Sequence, residues 1–135
     1  MNYLPVLVAG IAAWLLGWAW HSPLLFGKQW MKLSGITMPE IVTPEMKKQM
    51  LRPMIIGLIA NLVAAGVLSC IATQIGRTDI LSTLSIGFWI WLGFIATVIL
   101  NEVLWGKRSV KLYLFNIIYH LASVAVMAVV LGLMA

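Results

Sequence analysis

Four stretches of this chain carry no charged residue: Met1 to Gly27, Pro53 to Gly76, Ile80 to Asn101 and Leu112 to Ala135, of 27, 24, 22 and 24 residues. Every Lys, Arg, Asp and Glu falls in the short segments 28–52, 77–79 and 102–111. A helix needs about 20 residues to cross roughly 30 Å of hydrocarbon, so each uncharged run is long enough to span a bilayer. A water-soluble bundle would need a polar stripe on every helix, and no charge is available to build one. Composition agrees, with 62% hydrophobic and 10% charged residues and a mean hydropathy of +1.01. The predicted fold is an all-α membrane protein with four transmembrane helices. They lie at about 4–20, 54–75, 81–104 and 113–133 of a single domain, residues 1–135, with a basic loop at 26–53.

The first run does not read as a cleaved signal peptide. No Lys or Arg precedes it, and Trp18, Trp20 and Pro23 occupy its end. Orientation follows from the basic residues of the short loops. Lys28, Lys32, Lys47, Lys48 and Arg52 lie in the first and Lys107, Arg108 and Lys111 in the third, against Arg77 alone in the second. The positive-inside rule then puts the first and third loops in the cytoplasm and both termini outside. The net charge of +5 is thereby a topology signal, and no nucleic-acid partner is implied.

One octapeptide pattern occurs twice, as FGKQWMKL at 26–33 and WGKRSVKL at 105–112. Each copy ends an odd-numbered span where it reaches the cytoplasm. An aromatic at headgroup level, a Gly that lets the helix end and Lys residues that reach phosphates suit any such terminus, so convergence explains the likeness. Duplication of a two-helix hairpin explains it equally well. IANLVAAGVL (59–68) aligns with IYHLASVAVM (118–127), setting Asn61 opposite His120.

The segment from Trp18, WAWHSPLLFGKQWMKL, resembles the signature of a family of small, mostly bacterial, four-helix membrane proteins, domain of unknown function 1761. The likeness extends over essentially the whole chain, through GFWIWLGF in the third span and Tyr119 and His120 in the fourth. Where that family commonly has Tyr after the second Trp, this chain has His21. The resemblance implies four membrane helices and supplies no reaction, substrate or catalytic residue.

In lipid, helices associate through small residues and cross-helix polar bonds. The second span repeats such residues every fourth position at Gly57, Asn61, Ala65, Ser69 and Thr73. Shorter versions are Gly10, Ala13, Gly17 and His21 on the first span, Gly93, Thr97 and Asn101 on the third, and Asn116, His120 and Ser123 on the fourth. These faces are expected to meet. The strongly polar groups His21, Asn61, Asn101, Glu102, Asn116 and His120 would then cluster in the cytoplasmic half and leave the outer half aliphatic. His120, near the midplane, must be paired or wetted there, with Asn61 or a backbone carbonyl the expected partner. Glu102 either pairs with Lys107 or Lys28 at the boundary or walls a cytoplasm-facing cavity.

No catalytic residue, cofactor or metal site is legible. The two His, lone Cys70 and membrane-edge Glu102 lack ligand spacing. The Gly-Lys pairs lack the rest of a phosphate loop, and no Ser sits in a nucleophile elbow. Cys70 reads as packing. Trp18, Trp20, Trp30 and Trp105 read as an interfacial belt, whereas Trp14, Trp89 and Trp91 lie deeper, between helices or against lipid. In the first loop, TMPE (37–40) has capping-box spacing, and Thr43 and Pro44 start a short basic helix that leads into the second span and can lie on anionic headgroups. Two functions fit. One is a structural or accessory protein, alone, as a homo-oligomer or beside a membrane-protein partner. The other is an oligomeric channel or carrier for a small solute or ion using the inner polar cluster.

Overall fold

The computed structural model describes residues 3–22, 25–35 and 43–135. Among them run five helices: α1 Tyr3–Trp20, α2 Gly27–Ser34, α3 Pro44–Ile75, α4 Ile80–Leu104 and α5 Val110–Leu133. All except α2 are long and apolar enough to cross a membrane. The chain is thus a multi-pass membrane protein. The TMPE segment lies outside the described residues.

Capping fixes most boundaries. Thr43 caps α3 by accepting the Met46 N–H at 3.3 Å, with Pro44 in the first turn where its missing N–H costs nothing. The basic helix expected from this signal leads into the second span without a break. It runs on through Pro53 into the span, making α3 32 residues long. Asp79 caps α4 through the Ser82 N–H at 3.0 Å, and Ser109 caps α5 through the Leu112 N–H at 3.1 Å. Gly76, at φ 79°, closes α3.

The two copies of the repeated octapeptide fold differently. FGKQWMKL enters helix α2, which ends at Gly35 with φ 71°. WGKRSVKL makes a turn with Lys107 at φ 56° before the Ser109 cap. On α2, Trp30, Met31 and Leu33 are half-buried while Lys28, Gln29 and Lys32 are exposed, the pattern of a helix lying in the headgroup plane.

The core is built from small residues. Ala9 and Ala13 of α1, Ala65 of α3 and Ala128 of α5 are fully buried, joined by Leu68, Met127 and Leu131. Large apolar side chains point outward, as at Val63, Leu81 and Phe94. That inversion suits lipid, where close approach of small residues and not burial of large ones holds helices together. A Cβ at Gly10 would lie 3.0 Å from the Leu62 Cα, and one at Gly132 only 2.6 Å from the Ile80 Cα. Both crossings depend on glycine.

Helix α1 packs on α3 and α5, and α5 packs on α1 and α4, whereas α3 and α4 touch only slightly. Helix α4 is therefore peripheral. It contains a π-helical turn, Trp91–Ala96, bracketed by two bonds to α5. The Trp91 Nε1–H donates to the Ile117 carbonyl at 2.7 Å, and the Tyr113 hydroxyl donates to the Ala96 carbonyl at 2.6 Å. Trp14 likewise ties α1 to α3, donating to the Met54 carbonyl at 3.2 Å. Of the deep tryptophans only Trp89, 65% exposed, faces lipid.

Candidate functional site

The polar groups expected to converge in the cytoplasmic half mostly close on their own helices. The Asn61 amide donates to the Gly57 carbonyl at 2.8 Å, Thr97 to Gly93 at 2.6 Å, and Asn101 to Val98 at 3.1 Å. His21 Nδ1 lies 2.9 Å from the Gly17 carbonyl and donates to it when that nitrogen carries the proton. The expected Asn61–His120 bond is therefore replaced by a local one, because a back-bond four residues up the helix satisfies an amide without ordering a second helix. Asn116 and His120 are half-buried on α5, and His120 stacks beside Tyr119 with ring centroids 5.1 Å apart.

The third-span face is a correction. Asn101 and Glu102 are exposed, and nothing lies within 4 Å of where a Cβ would stand at Gly93. The Gly93, Thr97 and Asn101 row thus meets no neighbouring helix among the described residues. The π turn inserts one extra residue between the two halves of α4, so a face projected at regular helical spacing is misplaced beyond it. On α3, Ala65 is fully buried and Gly57 faces the edge of Trp14, while Thr73 is exposed.

What the structure does assemble at this end is a set of aromatic rings. Trp20 and His21 end α1, Phe26 and Trp30 come from the start of α2, and Phe115 and Tyr119 from α5. Trp20 stands 4.6 Å from Phe26, and His21 stands 5.0 Å from Trp30 and 4.8 Å from Tyr119. Phe115 reaches Phe26 at 6.3 Å. Edge-to-face contacts of this kind add to plain burial. The Trp20 indole nitrogen is buried with no hydrogen-bond partner among the described residues. The signature segment from Trp18 to Trp30 thus serves as a clasp that folds α2 back onto α5.

A second feature lies at the opposite end, which the sequence predicts to be nearly all aliphatic. A cavity of about 310 Å³ opens among the helix ends, lined by the hydroxyls of Ser69, Thr73, Thr78 and Thr83 and by apolar Pro5 and Leu131. Thr83 is 1% exposed and donates to the Asp79 carbonyl at 2.8 Å. Thr73 donates to Ser69 at 2.8 Å. Both hydroxyls donate to a backbone carbonyl four residues earlier in the chain. Ser69 and Thr73 belong to the row that the sequence suggests as packing, and toward the Gly76 end of α3 that row borders the cavity instead. No three of His, Cys, Asp and Glu come together among the described residues.

Nearly all of the four spanning helices and the α2 clasp fall within the reach of one family's sequence profile, that of the protein of unknown function DUF1761, which matches residues 4–132. The chain belongs to this family. No curated protein and no solved structure matches it. The DUF1761 match covers nearly the whole bundle and brings no named activity to any of its residues.

Proposed function

We propose that the chain is a structural or accessory protein of the bacterial inner membrane, with both termini outside and the end that carries α2 in the cytoplasm. The observation that carries this reading is the local closure of the polar groups. Asn61, Thr97 and Asn101 bond within their own helices and do not converge on a shared path. A carrier needs polar side chains aimed into a common wet site at membrane depth. Orientation is supported by Lys28, Lys32, Lys47, Lys48, Arg52, Lys107, Arg108 and Lys111, all exposed. There they can meet anionic headgroups, and a second copy or another membrane protein is the partner the accessory reading calls for.

Two measurements test this together. Reporters fused after Ala135 should be active only outside the cytoplasm, and one inserted at Gly35 only inside. Proteoliposomes holding the protein should conduct small ions and solutes no faster than empty ones, while in-membrane crosslinking should capture a defined protein partner or dimer. Solute flux above background would overturn the accessory reading.

A further inference from the structure

The weak contact between α3 and α4 leaves a seam along the outside of the bundle, and two cavities follow one another along it. The first, of about 300 Å³, lies at the α3–α4 turn and is lined by Ile75, Arg77, Ser82 and Ser85. The second, of about 250 Å³ and almost wholly apolar, lies deeper and includes Leu68 of α3 and Ile90 of α4. Ile75 stands two turns beyond Leu68 on one face of α3, and Ile86, which also lines the first cavity, stands one turn before Ile90 on α4. From Ile75 to Ala64 at the far end of the groove the helix rises about 16 Å, the reach of much of an acyl chain.

Polar chemistry is confined to the end of this seam at the turn. Arg77 is the sole basic residue of the 77–79 turn and makes no ion pair among the described residues. The nearby Asp79 carboxylate is committed to capping α4, where it receives the Ser82 N–H. The Ser82 hydroxyl serves Asp79 as well, which leaves the Arg77 guanidinium and the Ser85 hydroxyl in the same lining; set where a spanning helix meets the headgroup layer, that pair matches a phosphodiester. The apolar groove leading from it into the membrane matches a hydrocarbon chain. Arg77 and Asp79 together leave the turn neutral, so the phosphate and not the net charge of the headgroup is what the site can read.

We propose that the α3–α4 seam is a phospholipid site, with the phosphodiester on Arg77 and Ser85 and one acyl chain in the groove beside Leu68 and Ile90.

The test is mass spectrometry of the intact protein released from detergent after exposure to defined lipids. One phosphatidylglycerol or one phosphatidylethanolamine should be retained per chain, and diacylglycerol, which lacks the phosphate, should not. Arg77→Gln should weaken retention about tenfold or more, the worth of a charge-assisted bond, and Arg77→Lys by less. Ala64→Trp, at an exposed position in the groove, should weaken it as well, whereas Lys47→Gln with Lys48→Gln at the other end should not. Millimolar glycerophosphate should fail to displace the lipid, since it lacks the chain. Unchanged melting of Arg77→Gln shows that the loss is one of binding. Equal retention by Arg77→Gln, equal retention of diacylglycerol, or indifference to Ala64→Trp would each overturn the assignment.

Discussion

The phenol oxygen of Tyr119 lies against the backbone of Gly17, and a Cβ there would come within 2.5 Å of it. The ring cannot swing aside freely, because Trp20 stands 5.9 Å from it and His21 stands 4.8 Å. Gly17→Ala should therefore destabilise the bundle by about 1–3 kcal/mol, the usual cost of overpacking. The Tyr119 Cζ would sit 3.4 Å from the new methyl, an ordinary contact. In a Tyr119→Phe background the same substitution should cost little. Thermal unfolding of the four variants in detergent gives the cycle, and equal costs in both backgrounds would show that the phenol is not what Gly17 accommodates.

A second prediction concerns the bonds around the π turn. The Ala96 carbonyl accepts the Tyr113 hydroxyl, and α4 is held to the bundle chiefly through α5. Tyr113→Phe should cost about 1 kcal/mol, within the range measured for side-chain bonds between membrane helices. The loss should concentrate locally. Hydrogen exchange should quicken at the α4 amides after Ala96 and remain unchanged in α1. Uniform quickening across all helices would instead mean that the bond supports the whole bundle.

Ala65 and Gly93 both belong to small-residue rows in the sequence, yet one is fully buried and the other faces open space. Ala65→Leu should separate α1 from α3 and destabilise the monomer by about 1–3 kcal/mol. Gly93→Ala should be neutral or stabilise by up to about 1 kcal/mol, from helix propensity alone. Size-exclusion and melting measurements in detergent distinguish the two. A marked loss of stability or assembly in Gly93→Ala would reveal a helix from another chain against that face.

These two residues also show what the sequence could and could not disclose. The four spans were legible because charge is excluded from hydrocarbon, a constraint that acts on every residue of a run. The caps at Thr43, Asp79 and Ser109 obey local rules. Which way each row faces depends on helix rotation, and the π turn resets that rotation with no residue that announces it. Asn61 was read as a cross-helix partner for His120 because its type permits that bond, but the type equally permits the bond to Gly57 that it makes. Helix α2 is hidden for another reason: the aromatic, Gly and Lys of FGKQWMKL suit the end of one helix as well as the start of the new one that they enter. The hydroxyl cavity was missed because Ser and Thr on an apolar helix look the same whether they face a helix or a void.

Asp79 supplies a pH dependence outside the membrane-spanning segments. Its hydrogen bonds with Ser82, through side chain and backbone, hold the carboxyl below the ordinary aspartate value, with the positive field of Arg77 a smaller contribution in the same direction. A pKa lower in the folded than in the unfolded chain stabilises the folded state fully above the unfolded value, about 3.9. That stabilisation is lost as pH falls through the folded value. The melting temperature should thus fall on acidification below about pH 4, and Asp79→Asn, which still caps the helix, should flatten that part of the profile. A variant profile parallel to the parent's would assign the acid sensitivity to another carboxylate.

His120 decides between the accessory reading and transport. Its ring is half-buried beside Tyr119 and has no hydrogen bond to Asn61, whose amide is occupied at Gly57. An asparagine at 120 keeps a polar group at the same depth and matches Asn61 in the alignment of the two even-numbered spans, but it cannot carry a proton through physiological pH. If the ring only fills space against the Tyr119 clasp, His120→Asn should change stability by less than about 1.5 kcal/mol, as volume-tolerant replacements do, and any growth phenotype of the parent should persist. The discriminating measurement is ion flux in proteoliposomes from pH 5 to 8, paired with melting in detergent. Flux that varies with pH in the parent and vanishes in a fully stable His120→Asn protein would make the imidazole part of a proton-dependent path and end the accessory reading. No flux in either protein, together with a modest shift in melting, is the expected result, because among the described residues one half-buried imidazole beside a ring cluster, with Asn61 and Asn101 each closed on its own helix, provides no continuous chain of exchangeable groups.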